Sequence, residues 1–492
     1  MILSSRSGTN DPAMNVASVN SILLKAFPYE PTSGQRIAIE KIAHFLSGSW
    51  ETSNSLFILK GYAGTGKTTI VSAIVTTLSN LQKKSVLLAP TGRAAKVLAN
   101  YSKKQANTIH RKIYFARTTK DGVIALKLQQ NQNKHTLFIV DEASMIQNAS
   151  LSEGSLFSTR NLLDDLFQYV YSGEKCKMMF IGDAAQLPPV GIEISPALEI
   201  DFLKKAYHLT IDSYELTEVV RQARESGILV NATAVRKQIN REEWALPLFT
   251  TGTFTDVCRL HGSDLEEALN AAYSGSDREN NAVVCRSNKR ANIFNREIRR
   301  RILFLEEEIN TGDFMMVVKN NYFWLPENSS AGFIANGDII ELIRIRKIEE
   351  LYGFRFANVT IRFLDYQDEK ELDVKILLDT INSESASLSQ ADSNRLFQEV
   401  MKDYEELPNK RNRLEKVKTN PYFNALQVKF SYALTCHKTQ GGQWDTVFVD
   451  QGYLNDKMMN VEFLRWLYTA VTRATKKLYL INFDNKFFYD SL

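Results

Sequence analysis

The sequence predicts an α/β protein of two doubly wound parallel-sheet units, with a small β-hairpin inserted in the first and a β-barrel in the second. Three observations lead there. Short apolar runs at 56–59, 85–90, 136–140 and 178–181 recur at helix-length intervals, and each ends in polar residues. That is the pattern of buried parallel strands with a ligand at their carboxyl tips. A second set follows at 282–285, 428–434, 446–450 and 477–482. This set is interrupted by the β-rich stretches FMMVVKN, GDIIELIRI and ANVTIRFLD, then a polar helical run over 389–418. At 492 residues the chain exceeds one ordinary core, so several domains are expected.

Residues 1–27 read as a tail and a short helix, SVNSILLKAF. Over 32–42, TSGQRIAIEKI reads as a helix capped by Thr32 or Ser33, with Ile37, Ile39 and Ile42 in or near its buried face. The run 56–59 then opens onto Gly61-x-x-x-x-Gly66-Lys67-Thr68, a complete phosphate-loop pattern. Gly61, Gly64 and Gly66 let the backbone take positive φ and approach a polyphosphate closely. The helix that follows turns its free N–H groups and positive dipole end to the same anion. Lys67 is placed to reach the β- and γ-phosphates, and the Thr68 hydroxyl to sit on Mg²⁺. Gln35, just upstream, carries an amide able to accept from and donate to an adenine edge. A chance glycine-rich turn would lack the strand before and the helix after.

The run 136–140 ends in Asp141-Glu142. After a phosphate loop and a buried strand, one carboxylate suits the Mg²⁺ shell and the other the attacking water. The fourth run ends in GDAAQLPP, residues 182–189, a rigid turn that places Gln186 to sense a γ-phosphate. Between these lies KIYFARTTKDGVIALKLQQN, residues 112–131. Its Asp121-Gly122 is a type I′ turn pair, and Ile124, Leu126 and Leu128 alternate as a half-covered strand does. A projecting β-hairpin is expected. Over 288–305 a helix is expected, with Phe294, Ile298, Ile302 and Leu305 on its apolar side.

Composition narrows the function classes. No apolar run approaches the roughly 20 residues of a membrane span, and the N-terminus lacks a basic-then-apolar signal pattern. Cys176, Cys258, Cys285 and Cys436 are scattered without a C-x-x-C pair, which suits reduced thiols and not a zinc site. A cytoplasmic protein without a membrane segment is expected. Net charge is only +4, yet Arg93 to Lys134 holds ten Lys/Arg against one acid, Asp121. A one-signed bias beside a nucleotide site points to a phosphate backbone as partner.

The order of these motifs resembles that of superfamily 1 helicases, and in detail the 1B branch, the RecD-like DNA helicases, over about residues 30–485. Gln35 falls at the Q-motif, GYAGTGKTT at motif I, LLAPTGRAAKVL (87–98) at motif Ia, and Asn107-Thr108-Ile109-His110 at motif Ib. DEAS (141–144) is similar to motif II, GDAAQLPPV (182–190) to motif III and ELTEVVRQA (215–223) to motif IV. YALTCHKTQGGQWDTVFVD (432–450) resembles motif V and LYTAVTRATKKL (467–478) motif VI. Cys436 stands for a bulky aliphatic residue and Gly442 for a small polar one.

The resemblance implies two RecA-like P-loop NTPase units: 28–224 with a hairpin pin at about 112–131, and 225–305 with 419–492. An SH3-like barrel with a helical extension, 306–418, interrupts the second, and 1–27 precede the first. It implies ATP and Mg²⁺ as cofactors. Nucleotide contacts are expected from Gln35, Gly61, Gly64, Thr65, Gly66, Lys67, Thr68, Thr69, Gly442 and Arg473, with Mg²⁺ at Thr68 and, through water, Asp141. Lys67, Asp141, Glu142, Gln186, Arg221 and Arg473 are the implied catalytic set, the two arginines reaching the γ-phosphate across a cleft. Single-stranded DNA is expected on Thr91, Thr108, His110, Thr435, His437 and Lys438, gripped through phosphates without reading sequence. Tyr322-Phe323-Trp324 suits base stacking or barrel core equally. A monomeric motor that moves 5′ to 3′ and unwinds tailed duplexes follows. The alternative is a DNA-stimulated ATPase that remodels protein–DNA complexes without unwinding. A P-loop kinase needs no second α/β unit, and an inert nucleotide-gated scaffold needs no intact catalytic set.

Overall fold

The computed structural model describes residues 15–50, 54–118, 124–147, 161–220, 225–242, 245–275, 277–325, 329, 333–366 and 369–489. In the first unit the phosphate-loop strand β1 (Ser55–Gly61) is followed by β2 (Lys84–Ala89) and β3 (Ala106–Thr108). After the hairpin strands β4 (Tyr114–Thr118) and β5 (Ile124–Leu128) come β6 (Thr136–Val140), β7 (Lys177–Gly182) and β8 (Thr210–Leu216). Six of these form a parallel sheet in the order β3-β2-β6-β7-β1-β8. The apolar runs are continuous because both faces are covered. Phe57, Leu59, Leu137, Ile139, Met179 and Ile181 pack on one side, and Leu56, Ile58, Phe138, Val140, Met178 and Phe180 on the other. Edge strand β8, TIDSYEL, keeps most of its side chains partly or fully exposed, so it has no apolar run to announce it.

The second unit is built from β9 (Val257–Leu260) and β10 (Asn281–Cys285), then, beyond the barrel, three more strands. The barrel is β11 (Phe314–Val317), β12 (Ile339–Leu351), β13 (Phe354–Phe363), β14 (Leu372–Leu377) and β15 (Leu426–Phe430), and it closes on itself. The chain then re-enters the second sheet through β16 (Ala433–Thr435), β17 (Trp444–Asp450) and β18 (Ala474–Ile481), in the order β16-β10-β17-β18-β9, all parallel. Renumbered within each sheet, the order is 3-2-4-5-1 in both units, with β8 added at the edge of the first.

Four expectations are corrected. The single strand over 428–434 is two strands: β15, buried at every residue, pairs with β11 and β14 to close the barrel, and only β16 joins the second sheet. Ser431 and the buried Tyr432 make the break between them. The polar run after the barrel is two helices, Gln390–Lys402 and Lys410–Lys418, which lay Leu396, Val400 and Val417 on Phe354, Phe356 and Leu377. The 288–305 helix is α-helical only over Asn288–Glu297 and continues as a π-turn at Ile298–Ile302, where Arg299 pairs with buried Asp313 at 2.8 Å. Ile37 is exposed, whereas Ile39 and Ile42 are buried. The hairpin forms as a separate two-stranded sheet, Tyr114↔Leu128 through Thr118↔Ile124; its Asp121-Gly122 turn lies outside the described residues.

Candidate nucleotide site and nucleic-acid interface

The nucleotide residues gather at the carboxyl tips of β1, β6 and β7, neighbours in the centre of the first sheet. Gly66 has φ 89°, and a Cβ there would lie 2.4 Å from Gln35 Nε2, so only glycine serves. Gly64, at φ 74°, also takes the left-handed region, and Thr65 closes the loop by donating to the Tyr62 carbonyl at 2.8 Å. Lys67 Nζ donates to the Gly61 and Tyr62 carbonyls at 2.7 and 2.9 Å and lies 4.0 Å from Asp183 Oδ2. Thr68 and Thr69 occupy the first turn of the helix Lys67–Asn80, whose free N–H groups face the loop.

Gln35 differs from expectation. Its carbonyl accepts from Thr32 N–H at 3.0 Å in a reciprocal helix cap, and its NH₂ donates to the Thr65 carbonyl at 3.0 Å. One end of the amide closes the helix cap and the other braces the phosphate loop, instead of both facing outward to a base.

At the tip of β6, Asp141 accepts from Glu142 N–H at 2.9 Å through Oδ1 and from the Tyr101 hydroxyl through Oδ2. Glu142 sits at φ 50°, a left-handed conformation that turns its side chain out of the strand direction. Desolvation pushes the Glu142 carboxyl up to about 7, opposed by the Arg473 charge and reinforced by Asp141. Asp141 is raised by desolvation too, against the hydrogen bonds from Tyr101 and Glu142 N–H. Burial also raises the Tyr101 hydroxyl, which therefore stays a donor. Gln186 is buried and, among the described residues, its Oε1 has no hydrogen-bond partner. An orphaned buried carbonyl in the turn that follows β7 fits a site completed by a nucleotide and its water. Among the described residues no three His, Cys, Asp or Glu could hold a metal by themselves. Thr68 and Asp141 suit Mg²⁺, a hard cation commonly held by one or two protein oxygens plus phosphates and water.

The second unit reaches into this site. Arg473 is buried, donating from Nε to the Thr469 carbonyl at 3.0 Å and from Nη1 to the Gly442 carbonyl at 3.1 Å. Gly442 thus positions the guanidinium, and a Cβ on it would meet the Trp444 ring at 2.6 Å. Arg221 lies outside the described residues.

Sequence reasoning missed a clamp. On the helix Val461–Val471, Tyr468 accepts from Ala63 N–H of the phosphate loop at 2.8 Å and donates to Asp183 Oδ2 at 2.7 Å. Thr469 Oγ1 accepts from Leu187 N–H at 2.9 Å, and Gln440 donates to the Leu187 carbonyl at 2.5 Å. The 182–189 turn is therefore held by the second unit on both sides of Leu187. The available signal was two polar side chains, Tyr468 and Thr469, in the buried stretch Trp466–Val471 of that helix.

The nucleic-acid candidates lie apart, at the β2 and β3 edge and the β16 edge. Thr91 and Thr108 cap the helices Gly92–Ser102 and Ile109–Ile113, accepting from Ala94 and Arg111 N–H groups at 3.2 Å each. Thr91 Oγ1 would lie 3.2 Å from a Cβ on Gly441, so the two edges meet. Thr435 precedes the short helix Cys436–Thr439 that carries His437 and Lys438. Burial lowers His110 to about 4, and its neutral ring packs on Tyr114 and Phe333. His437 is also lowered, and burial with the Lys429 charge brings Lys438 down to about 8. The barrel covers this edge: Lys96 donates to the Leu364 carbonyl at 2.9 Å, and Arg111 lies over the Tyr366 ring.

Nor do the basic residues of 93–134 form one face. Arg93 stacks on Trp444 at 4.1 Å, Lys104 donates to Ser85 and Lys134 pairs with Glu174. Tyr322 packs on Phe333, and Trp324 donates to the Asn424 carbonyl, which makes that trio part of the barrel's packing.

A sheet whose tips carry a phosphate loop and paired carboxylates, faced by a second sheet of the same order that contributes an arginine, defines a two-unit P-loop NTPase. An AAA domain model matches residues 49–192, and a UvrD-like helicase C-terminal domain model matches 430–481. The chain is 24% identical to "Uncharacterized protein R530" of Acanthamoeba polyphaga mimivirus, across 90% of this chain and 98% of that one. It is 30% identical to the ATP-dependent RecD2 DNA helicase of Deinococcus radiodurans over 35% of this chain and 21% of that one. Among solved structures, a Bacteroides Pif1 helicase in complex with ADP-AlF3 and ssDNA matches at TM-score 0.44 and 15% identity, covering 92% of this chain and 93% of that one. The first unit is thus similar to AAA domains and the second to UvrD-like helicase C-terminal domains, and a RecD2 DNA helicase is among the relatives.

Proposed function

We propose that the chain is an ATP- and Mg²⁺-dependent DNA helicase that moves 5′ to 3′ along single-stranded DNA and unwinds tailed duplexes. The observation that carries this reading is the division of one site between two units. Lys67, Asp141, Glu142 and Gln186 stand on the first, while Arg473 and the Tyr468 clamp come from the second. Lys67 binds phosphate charge, Glu142 orients and deprotonates the attacking water, and Arg473, with Arg221 by family resemblance, stabilises charge on the transferred group. Mg²⁺, when bound, supplies charge neutralisation on the phosphate oxygens, held by Thr68 and through water by Asp141. Because the clamp ties the 182–189 turn to the second unit, phosphate loss repositions one unit against the other.

Thr91, Thr108, Thr435, His437 and Lys438 form the track edge, and the barrel must ease off the 92–113 segment for a strand to lie there. Neutral His110 serves as packing at that edge. The hairpin is the strand-splitting pin: Tyr114 at its base donates to Asp165 at 2.7 Å, and Gln129 donates to the Tyr114 carbonyl, so the base is fixed while the arms extend. Among the described residues no helix is long and apolar enough to cross a membrane. A monomeric motor serving DNA repair or recombination accords with the family.

The test is unwinding, with ATP, of duplexes bearing either a 5′ or a 3′ single-stranded tail. Unwinding of the 5′-tailed duplex alone is expected. DNA-stimulated hydrolysis without strand separation on either substrate would favour the remodelling translocase.

A further inference from the structure

The helix Gly92–Ser102 touches both α/β units and the barrel. At its first turn, Gly92 abuts Tyr366 and Asp338 of the barrel, and Arg93 lies on Trp444 of the second unit while donating to the Gln443 carbonyl. One turn on, Lys96 reaches the Leu364 carbonyl. Its buried face, Ala94, Ala95 and Leu98, is set in the core of the first unit, with Tyr101 packed against the same cluster. At its far end the Tyr101 hydroxyl donates to Oδ2 of Asp141. A helix rises about 1.5 Å per residue, so Arg93 and Tyr101 are roughly 12 Å apart on one stiff rod. One end of that rod meets the track edge and the other end meets the carboxylate.

We propose that Tyr101 is a positioning residue through which the 92–102 helix, on meeting single-stranded DNA, sets the orientation of the Asp141 carboxylate and so the affinity of the site for its divalent cation. Oδ1 is already fixed by the neighbouring backbone N–H, which leaves Oδ2 as the oxygen a moving side chain can steer. A donor on a carboxylate fixes which lone pairs remain for the cation's water, and such outer partners typically change metal affinity 10–100-fold. Coupling of this kind is reciprocal: if DNA tightens the cation, the cation tightens DNA by the same factor. The inference rests on the helicase reading for both the track and the cation.

The test uses the full chain with ADP, Mn²⁺ as a paramagnetic probe followed by electron paramagnetic resonance, and an oligo(dT) as the strand. In the wild type, oligo(dT) is expected to tighten Mn²⁺ about fivefold or more. Tyr101→Phe keeps the ring and its packing, and its melting midpoint should stay near the wild-type value. It should bind Mn²⁺ about tenfold more weakly, with ADP affinity in EDTA and metal-free oligo(dT) affinity unchanged and the effect of DNA on Mn²⁺ gone. A role limited to packing would not remove that linkage. If Tyr101→Phe retains the wild-type linkage, or if the wild type shows none, the inference is overturned while the helicase reading stands. If the wild type binds no oligo(dT), or Asp141→Asn binds Mn²⁺ as well as the wild type, the helicase reading itself fails and takes the inference with it.

Discussion

The two α/β units share a strand order and differ in what their tips carry. In the first, β1, β6 and β7 deliver a glycine loop, an amine and carboxylates, with Asp183 almost wholly buried and Glu142 raised to about 7. In the second, the corresponding strands β9, β17 and β18 carry no loop of that kind at their carboxyl ends among the described residues, and the chemistry comes from Arg473 and Tyr468 instead. A common fold therefore fixes where ligands bind but not what is done there. The first unit holds the phosphate-binding amine and the nucleophile-activating carboxylates, and the second adds a guanidinium for the charge on a transferring phosphoryl. Neither is a site without the other.

The largest effects should come from the first unit. Lys67→Ala should remove nucleotide binding, read by titration with a fluorescent ATP analogue. Glu142→Gln should keep that binding and lose turnover by about 10²–10⁴-fold, the usual worth of a general base. Near-normal hydrolysis by the glutamine variant would take Glu142 out of that role. Next comes the second unit's contribution. Arg473→Ala should bind ATP and lose on the order of 10³-fold in DNA-stimulated hydrolysis. Arg473→Lys should recover little, because a point charge does not reproduce the fork that Thr469 and Gly442 hold. Equal loss of binding and turnover would make Arg473 a ground-state ligand instead.

Tyr468→Phe tests the tie between the units. It removes two hydrogen bonds, each worth about 1 kcal/mol, and should lower DNA stimulation about tenfold with a changed KM for ATP. Loss of thermal stability with unchanged stimulation would reduce the clamp to a structural contact. The smallest effect is set by pH. A Glu142 carboxyl near 7 is active only when deprotonated, so kcat/KM for ATP at saturating Mg²⁺ should rise through pH 6–8 with a midpoint about 7. A profile flat over that range would contradict the raised carboxyl.

The first sheet was legible because β6 and β7 are apolar without interruption, and the phosphate loop because glycine spacing is a backbone requirement. Strand β8 was not, since an edge strand of mixed polarity has no period that distinguishes it from a loop. The division between β15 and β16 hid in a continuous β-prone run, where only the competing barrel and sheet decide which strand pairs with what. Site residues named from local motifs, such as Lys67, Asp141 and Glu142, came together at the expected tips. Tyr101 and Tyr468 did not announce themselves, because their partners, Asp141 and Asp183, lie far along the chain and a tyrosine on the apolar side of a helix reads as core. His110 looked like a phosphate ligand, but the aromatic walls of Tyr114 and Phe333 keep it neutral.

The most direct test of a site divided between two units measures their separation. Cysteines introduced by Lys205→Cys in the first unit and Glu267→Cys in the second, with Cys258→Ser to silence the partly exposed native thiol, would carry a donor–acceptor dye pair. The expected result is one distance for the free chain and a different one with a non-hydrolysable ATP analogue and oligo(dT) together, with the change lost in Arg473→Ala. An unchanged distance across all these states, in a chain that still hydrolyses ATP, would contradict the account.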